Sequence, residues 1–426
     1  MESSFLFGKG ALEVSVPERF DCREIRTRKA APVPDELLAI HGALDHPIAS
    51  EPLAAMARGK KTAAICVCDI TRPAPNRLTL PPLLARLHAG GIAKEKVVLL
   101  IATGLHRAAT PEEIDIIVGP EIAADYQVVS HDARAFPMHR SLGNTRRGTP
   151  VYIDERFMAA DLHITLGFIE QHLMLGFSGG RKLIAPGIAA QETIKVIHSP
   201  RYTREPLATE GSIAGNPLHE ELLEIARMAR HDFILDVSLT QDRKISGVFA
   251  GDPVKAHASG VAFLESTCLE EIHEPADVVV TSAAGFPLDL TFYQSVKGIT
   301  SAAHIAKPGG RILVVAECAE GIGSDEFAQQ LKSVDDFSCF LDRVRTAPVL
   351  VDQWQVEKLA VAATLNDLYL YTPGVTPQQL GPLGARAFDT LQEAVNAALL
   401  GLPAGARVAL VPEGPYTFAR AAETVY

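Results

Sequence analysis

Short hydrophobic runs recur along the chain, and most of them end in polar turns that contain glycine or proline. Residues 61–69 and 96–103 form two such runs, and the first is followed by a helical pattern at residues 80–89. Apolar runs of this length, bounded by turn residues, are typical of buried β-strands. The repeated order of strand, turn and helix predicts an α/β fold.

The same order continues to the end of the chain. Further strands are predicted at residues 12–16, 127–130, 161–167, 233–238, 245–250, 276–281, 311–316, 368–372 and 407–411. Further helices are predicted to begin at Thr110-Pro111, to lie around Glu326 and Leu341, and to span residues 217–230, 253–264, 354–362 and 391–400. The polar segment Glu271–Pro275 separates two halves. We therefore expect an N-terminal α/β domain at residues 1–272 and a C-terminal α/β domain at residues 273–426.

Three predicted strands of the N-terminal domain end in turns that carry reactive side chains. The first turn contains Asp69–Arg72, the second contains His106, and the third contains His172 and Lys182. Because ligands collect at the carboxyl ends of strands in α/β sheets, these turns predict one shared site. Ordinary roles stay open for each residue taken alone. Asp69 can cap a helix, Arg72 can be solvated, and His106 can be an exposed loop histidine.

The third turn is the most distinctive stretch of the sequence. His172 and His198 bracket a glycine-rich segment, Gly176–Gly180, which runs directly into Arg181 and Lys182. Glycines allow positive φ angles and a close approach of the backbone to a ligand. A lysine directly after such a turn commonly meets a phosphate or a reactive carbonyl group. This combination favours a functional site over an ordinary loop.

Composition narrows the classes of function. The hydrophobic fraction is 47%, and the formal net charge of −11 with no long basic run argues against a nucleic-acid partner. The first residues lack the apolar core of a signal peptide, and no window has the roughly 20 apolar residues of a membrane span. The six cysteines are scattered without a paired metal-binding spacing, which predicts buried free thiols and a cytoplasmic location.

The remaining histidines and the single tryptophan carry weaker signals. His163 lies within a predicted strand and is expected in the core, whereas His131 and His139 have no supporting motif and are expected at the surface. A single tryptophan is more often a packing residue than a ligand contact, so Trp354 is expected to pack in the protein interior. No HExxH motif, His-x-His pair or carboxylate cluster is present, which argues against a metal held by protein side chains alone. A metal carried by an organic cofactor would need only one protein ligand.

The C-terminal half contributes one polar pair. Gln294 and Lys297 lie three residues apart at the start of a helix, so they share one helix face. This pair can be a solvated helix start, or it can point across a cleft between the domains.

Taken together, these segments resemble the nickel-dependent lactate racemase family. The segments that carry the resemblance are DITRPAP, GLHR, QHLMLGFSGGRKLIAPGI with the downstream His198, FYQSVKG and DQWQ, in the order and near the spacing of the family. The resemblance implies two α/β domains with the active site in the cleft between them. It also implies a nickel-pincer nucleotide, a pyridinium-3,5-bisthiocarboxylic acid mononucleotide joined to Lys182 as a thioamide, with His198 as the protein ligand to nickel.

The resemblance further implies a racemase or epimerase of a 2-hydroxy acid, either lactate or a larger one. In this reaction a histidine takes the hydroxyl proton while hydride passes from C2 to the cofactor and back. The roles that it assigns are catalysis by His106 and His172, cofactor binding by Asp69, Ile70, Thr71 and Arg72, and substrate binding by Arg72, Gln294, Lys297 and Trp354. The partners implied are the small-molecule substrate and the enzymes that build the cofactor. Arg181 could favour a diacid or polyhydroxy acid, or it could face the cofactor phosphate.

Two other classes of function are weighed against this one. A nicotinamide-dependent 2-hydroxy acid dehydrogenase would need a GxGxxG turn between strand and helix, and the GFSGGRK segment lacks the third spaced glycine. A non-catalytic carrier of the cofactor would need Lys182 and His198, but it would not need both His106 and His172. The presence of all four residues favours the enzyme.

Overall fold

The structure is a computed structural model and describes residues 1–28 and 30–421. The chain forms two compact units. The N-terminal unit comprises Lys29–His198 and Leu207–Thr267. The C-terminal unit comprises Cys268–Tyr426 together with Met1–Arg28 and Ser199–Pro206. No helix of the described residues has the length and apolar character that a membrane crossing needs.

The strands are numbered in chain order. They are β1 Glu2–Phe7, β2 Gly10–Ser15, β3 Asp21–Glu24, β4 Ala63–Cys68, β5 Val97–Ala102, β6 Gln127–Ser130, β7 His139–Asn144, β8 Pro150–Asp154, β9 Leu162–Phe168, β10 Gln171–His172, β11 Gly176–Phe177, β12 Phe233–Leu239, β13 Ile245–Gly251, β14 Glu270–Ile272, β15 Ala276–Ser282, β16 Ala306–Val315, β17 Asp367–Tyr371, β18 Arg407–Val411 and β19 Ala419–Ala421.

The α-helices are numbered in the same way. They are α1 Glu36–Asp45, α2 Leu53–Met56, α3 Asn76–Ala89, α4 Pro111–Val118, α5 Pro120–Asp125, α6 Glu155–Met158, α7 Arg181–Ile184, α8 Gln191–Ile197, α9 Pro200–Thr203, α10 Pro217–Met228, α11 Lys255–Cys268, α12 Phe292–Ala303, α13 Asp325–Lys332, α14 Phe337–Arg343, α15 Gln353–Leu365 and α16 Leu391–Leu399. Short 3₁₀ turns lie at Lys94–Lys96, Phe136–Met138, Leu288–Leu290, Gly381–Arg386 and Gly414–Tyr416.

A six-stranded sheet in the order β13-β12-β9-β4-β5-β6 is the centre of the N-terminal unit. The strands from β12 to β6 pair in parallel, and β13 pairs antiparallel with β12. Every residue of β4 and β9 is buried, which explains why these strands are continuous apolar runs rather than alternating ones. The strand order reverses between β4 and β9, which is where α/β sheets bind their ligands.

A five-stranded parallel sheet in the order β17-β16-β15-β18-β3 is the centre of the C-terminal unit. Helices α12 to α15 supply the apolar core on one face. The β1–β2 hairpin and helix α16 supply the core on the other face. A parallel sheet covered on both faces explains the alternation of strands and helices in this half of the sequence.

The prediction of an α/β fold is confirmed, and most predicted elements lie within a few residues of their observed positions. Strands β6 and β18 have the predicted bounds. Helix α4 begins with the predicted cap, since the Thr110 hydroxyl accepts from the Glu113 amide and the Glu113 carboxylate accepts from the Thr110 amide.

The compact units do not follow one division of the chain at residue 272. The first 28 residues pack with the C-terminal unit, because β3 pairs in parallel with β18 from Asp21 opposite Arg407 to Glu24 opposite Leu410. Pairing between residues so far apart in sequence leaves no signal in local hydrophobic periodicity. The β7–β8 hairpin and helix α1 were also not predicted.

Candidate functional site

Three neighbouring strands of the N-terminal sheet deliver the predicted reactive residues to one edge. Strand β4 lies between β9 and β5, and all three run parallel. Asp69 follows β4, the His106 turn follows β5, and His172 lies just after β9. The three turns therefore lie at neighbouring carboxyl ends of the sheet, and the shared site stays a prediction.

His106 is held by a buried carboxylate. Its Nδ1 lies 2.6 Å from Oδ2 of Asp69, whose other oxygen accepts from the Thr71 hydroxyl at 2.6 Å. Asp69 is 7% exposed, whereas the His106 side chain is 58% exposed. Burial would raise the pKa of Asp69, but hydrogen bonds from His106 and Thr71 outweigh burial and hold that pKa below its usual range. An ionised Asp69 keeps the hydrogen of His106 on Nδ1, so Nε2 presents a lone pair and can act as a base.

The ring of His172 has the opposite hydrogen-bonding pattern, because its Nδ1 accepts hydrogen bonds rather than donating one. It lies in β10, which pairs with β11 across a tight turn, and His172 is opposite Gly176. The amides of Met174 and Leu175 both donate to its Nδ1, each at 3.3 Å. With Nδ1 as an acceptor, the neutral ring carries its hydrogen on Nε2. These two bonds are long, so the ring can release them at low cost and move its hydrogen from Nε2 to Nδ1, which frees Nε2 to accept a proton.

Arg72 links the Asp69 turn to the segment that carries His172. One guanidinium nitrogen of Arg72 lies 3.7 Å from a carboxylate oxygen of Glu170, and both side chains are about one-third exposed. This distance exceeds that of a hydrogen bond, and exposed pairs of this kind contribute little stability. Arg72 can therefore exchange Glu170 for a better carboxylate or phosphate partner.

The glycine turn has the backbone that the sequence predicts. Gly176 and Gly179 have φ angles of 73° and 84°. A Cβ atom at Gly176 would lie 2.1 Å from the carbonyl oxygen of Ser212, and one at Gly179 would lie 2.6 Å from Oδ2 of Asp236. Only glycine satisfies both the conformation and the space. The turn leads directly into α7, so Lys182 is the second residue of that helix.

Arg181 does not take either of the roles that the sequence left open. It is 2% exposed, and its guanidinium donates to the carbonyl oxygens of Leu175 and Phe177 and to the ring of His257. Burial lowers the pKa of Arg181 to about 9. The side chain braces the glycine turn from the interior, so the expectation that it faces a substrate or a cofactor phosphate is wrong.

Asp236 lies under the same turn and was not found by sequence reasoning. It is fully buried on β12, and neither carboxylate oxygen has a hydrogen-bond partner of ordinary geometry among the described residues. Burial raises its pKa to about 7, and the nearby amides of Gly180 and Gly167 and the charge of Arg181 offset burial only in part. An aspartate within an apolar strand gives no sequence signal of this environment.

We predict that Asp236 makes the stability of the protein depend on pH. Its pKa is about 7 in the folded state, whereas an exposed aspartate has a pKa of about 3.9. The protonated side chain therefore contributes its full stability below about pH 4, and this contribution is lost as the pH rises through about 7. The difference in free energy of unfolding between the native chain and Asp236→Asn should fall by at most about 1.4 kcal/mol per pH unit in this window. Urea unfolding from pH 4 to pH 8 measures it, with the exposed Asp242→Asn as control. Parallel profiles for the native chain and Asp236→Asn would contradict the prediction.

His198 lies at the C-terminal end of α8, where it caps the helix. Its Nδ1 lies 2.9 Å from the carbonyl oxygen of Ile194, so Nδ1 carries the hydrogen and Nε2 has the lone pair. A backbone carbonyl bound to one ring nitrogen is the usual arrangement of a metal-binding histidine. In the part of the chain that the structure describes, no group of three or more His, Cys, Asp or Glu side chains could hold a metal ion.

The predicted substrate residues of the C-terminal unit lie on two helices of that unit. Gln294 and Lys297 are in the first turns of α12, which Thr291 caps. Oε1 of Gln294 is buried without a hydrogen-bond partner among the described residues. Trp354, at the start of α15, meets the ring of Tyr293 edge to face at 6.1 Å. Sequence reasoning overlooked Tyr293, although it lies within the FYQSVKG segment.

The other histidines and the cysteines give mixed outcomes. His163 is 1% exposed, as predicted for a core residue. The expectation that His131 and His139 lie at the surface is wrong, since His131 is 1% exposed and His139 is half-buried against it. All six cysteines are free, but Cys339 is exposed and Cys22 and Cys268 are only partly covered. Local sequence does not reveal that strand β8 covers His131.

Comparison with known families places most of the chain in two named domains. Residues 7–211 match the Lactate racemase N-terminal domain, and residues 272–417 match the Lactate racemase C-terminal domain.

Similar whole proteins agree with these matches. The chain is 34% identical over 375 residues to a lactate racemase of Thermoanaerobacterium thermosaccharolyticum, covering 87% of this chain and 88% of that protein. It is 35% identical over 382 residues to a lactate racemase of Lactiplantibacillus plantarum, covering 88% and 89%.

Solved structures show the same likeness. The lactate racemase apoprotein from T. thermosaccharolyticum superposes with a TM-score of 0.91 at 31% identity, covering 99% of this chain and all of the other. A Thermotoga maritima protein from structural genomics superposes with a TM-score of 0.64 at 16% identity, covering 92% and 99%, which indicates a shared fold only.

Proposed function

Because this chain belongs to the lactate racemase family and is an isomerase, we propose that it interconverts the two enantiomers of a 2-hydroxy acid. Lactate is the first substrate to test, since it is the substrate in the names of both curated relatives. Larger 2-hydroxy acids are the next to test. The free cysteines also fit a reducing cytoplasmic setting, which we include in the proposal.

The observation that carries the proposal is that a carboxylate-bound His106 and a second histidine, His172, follow the two strands on either side of β4. His106 presents the Nε2 lone pair that removes a hydroxyl proton. His172 presents an Nε2 hydrogen that binds the substrate oxygen. For the opposite enantiomer, release of the two long amide bonds lets the ring move its hydrogen from Nε2 to Nδ1, and Nε2 of His172 then takes the hydroxyl proton. A racemase needs two such groups at one carbon, whereas a dehydrogenase needs one.

The substrate carboxylate needs a cation, and Arg72 is the first one we assign to it. Its contact with Glu170 at 3.7 Å is weak enough to be replaced by a bidentate pair with the substrate. We also assign substrate binding to Gln294, Lys297 and Trp354. Oε1 of Gln294 is buried and has no hydrogen-bond partner within residues 1–28 and 30–421, which supports a polar ligand at that residue.

The residues present fit the nickel-pincer nucleotide. Lys182 directly follows the glycine turn as the second residue of α7, and it would hold the group covalently. Nε2 of His198 would bind nickel, and a single imidazole is sufficient where the organic group supplies the other donors. The Asp69–Arg72 turn, with Ile70 and Thr71 exposed, would contact the group at the sheet edge. When bound, the group supplies a hydride acceptor for the hydrogen at C2 of the substrate.

The experiment is racemisation by protein produced together with the enzymes that build the cofactor. Chiral chromatography should show D- and L-lactate converging on an equal mixture from either side, and a longer 2-hydroxy acid measures the tolerance of the site. Keto acid formation that depends on added nicotinamide cofactor would indicate the dehydrogenase instead. A loaded protein that turns over no 2-hydroxy acid would indicate the carrier.

His198→Ala should lose nickel while the attachment at Lys182 persists. The alanine removes the proposed protein ligand but leaves α7 and the glycine turn intact. Metal analysis after dialysis should show a clear fall in nickel per protein, and intact mass should still show the added group. His88→Ala, which removes an exposed histidine of α3, is the control. Equal nickel retention in His198→Ala and His88→Ala would exclude His198 as the ligand.

A further inference from the structure

We propose that His131 is a positioning residue for the active site: a buried imidazolium that joins the His106 turn to the segment between Lys182 and His198. This inference deepens the proposed function, on which the roles of His106, Lys182 and His198 rest. The contacts that carry it lie within the N-terminal unit.

The hydrogen bonds of the His131 ring require a hydrogen on both nitrogens. Nδ1 lies 3.0 Å from Oδ2 of Asp154, and Nε2 lies 3.0 Å from the carbonyl oxygen of Ala189. A carboxylate and a backbone carbonyl are both acceptors, so both ring nitrogens must donate. The alternative, a protonated Asp154, conflicts with the bidentate contact that Arg156 makes with the same carboxylate.

The surroundings stabilise this charge in the interior. Burial would raise the pKa of Asp154, but hydrogen bonds from Arg156 and His131 outweigh it and hold that pKa well below its usual range. The other titratable ring that faces His131 is His139, edge to face at 5.0 Å. Burial and then the neighbouring His131 lower the pKa of His139. A buried charge with a paired, ionised partner is the arrangement that proteins tolerate.

One end of the link is the turn that carries His106. The amide of His131 donates to Ile101 at the end of β5, and its carbonyl oxygen accepts from the Thr103 hydroxyl at 2.6 Å. The amide of His106 donates in turn to the carbonyl oxygen of Thr103. The backbone of His131 therefore fixes the start of the His106 turn.

The other end of the link is the segment between α7 and α8. Besides the bond from His131 to Ala189, the Asp154 amide donates to Ile188 and the Gly104 amide donates to Gly187. This segment begins just after Lys182 and ends at the helix that His198 caps. His131 is thus hydrogen-bonded on one side to the turn that carries His106. On the other side it is hydrogen-bonded to the segment that connects α7, which contains Lys182, to α8, which His198 caps.

The first test measures the hydrogens of the His131 ring directly. In the native chain labelled with ¹⁵N-histidine, long-range proton–nitrogen spectra near pH 7 should show both ring nitrogens of His131 protonated. His131→Gln assigns the resonance. A single protonated nitrogen on His131 would overturn the proposal, and this readout does not need the cofactor.

The second test separates positioning from general stability. His131→Gln keeps one donor for Ala189, and His131→Phe keeps none. His163→Gln is the matched control, because His163 is equally buried at the other end of the sheet, near the start of β9. The hydrogen-exchange rates of the backbone amides in residues 100–108 and 183–193 are measured relative to those of β4. These rates should rise by at least about tenfold in His131→Phe, by less in His131→Gln, and not at all in His163→Gln. Equal protection of both segments in all variants would overturn the proposal.

The third readout joins this inference to the proposed function. The fraction of Lys182 that carries the added mass, measured on folded protein, should fall severalfold in His131→Phe, less in His131→Gln, and stay unchanged in His163→Gln. Full loading of folded His131→Phe would contradict the positioning role. If the native chain itself gains no mass at Lys182, the proposed function fails, whereas the proton count and the exchange pattern still decide the role of His131.

Discussion

Lys182→Ala should reduce racemisation to the background level and remove the added mass from the protein. The proposed thioamide needs the lysine nitrogen, and no other side chain at the glycine turn offers one in the same place, since Arg181 is buried in bonds to Leu175, Phe177 and His257. The fold should persist, because replacing a half-buried lysine in a four-residue helix changes the free energy of unfolding by no more than about 1 kcal/mol. Intact mass, thermal unfolding and activity are measured on the same preparation.

Two variants sharpen this prediction. Lys195→Ala removes an exposed lysine of the neighbouring helix α8 and should keep both mass and activity. Lys182→Arg keeps the positive charge without the amine that forms the bond, and it should behave like Lys182→Ala. The same added mass on Lys182→Ala would show that the group is attached elsewhere.

His106→Ala and His172→Ala should each abolish net racemisation, with losses of about 10²–10⁴-fold. Racemisation in either direction uses one histidine as the base and the other as the acid, so removal of either breaks both directions. The Asp69–His106 bond makes His106 a base in the resting structure, whereas His172 must first release two amide bonds. Each variant should still carry out a half-reaction with the enantiomer whose base remains.

Single-turnover experiments with substrate deuterated at C2 measure the half-reactions. Label should leave C2 of opposite enantiomers in His106→Ala and His172→Ala. His88→Ala, which lacks an exposed histidine of α3, should react like the native chain with both enantiomers. If both catalytic variants prefer the same enantiomer, the two histidines do not lie on opposite faces of the substrate.

The sequence predicted the positions of the candidate turns better than the environments of the side chains near them. The turns after β4, β5 and β9 were predicted from apolar runs, and parallel pairing brings such turns together by a general rule of α/β sheets. The hydrogen bond from His106 to Asp69 was not predicted, because it joins side chains 37 residues apart. The positive φ angles of the glycine turn were predicted, since only glycine adopts them at low cost.

The environments that were missed depend on packing between distant segments. Arg181 looks like a ligand-binding cation in the sequence, but His257 from α11 and the carbonyls of its own turn enclose it. His131 looks like a surface residue until β8 brings Asp154 against it. In both cases the partner comes from an element whose position in space no local pattern gives.

The most direct test of the central claim is the fate of the hydrogen at C2 during racemisation. In the proposed reaction His106 and His172 exchange only the hydroxyl proton, so the hydrogen at C2 never resides on an imidazole nitrogen that exchanges with water. Racemisation of 2-deuterated lactate in ordinary water should therefore give product that keeps deuterium at C2, read by mass spectrometry and NMR at half conversion. Product that carries solvent hydrogen at C2 would show that a histidine removes the carbon-bound proton, and it would contradict the account.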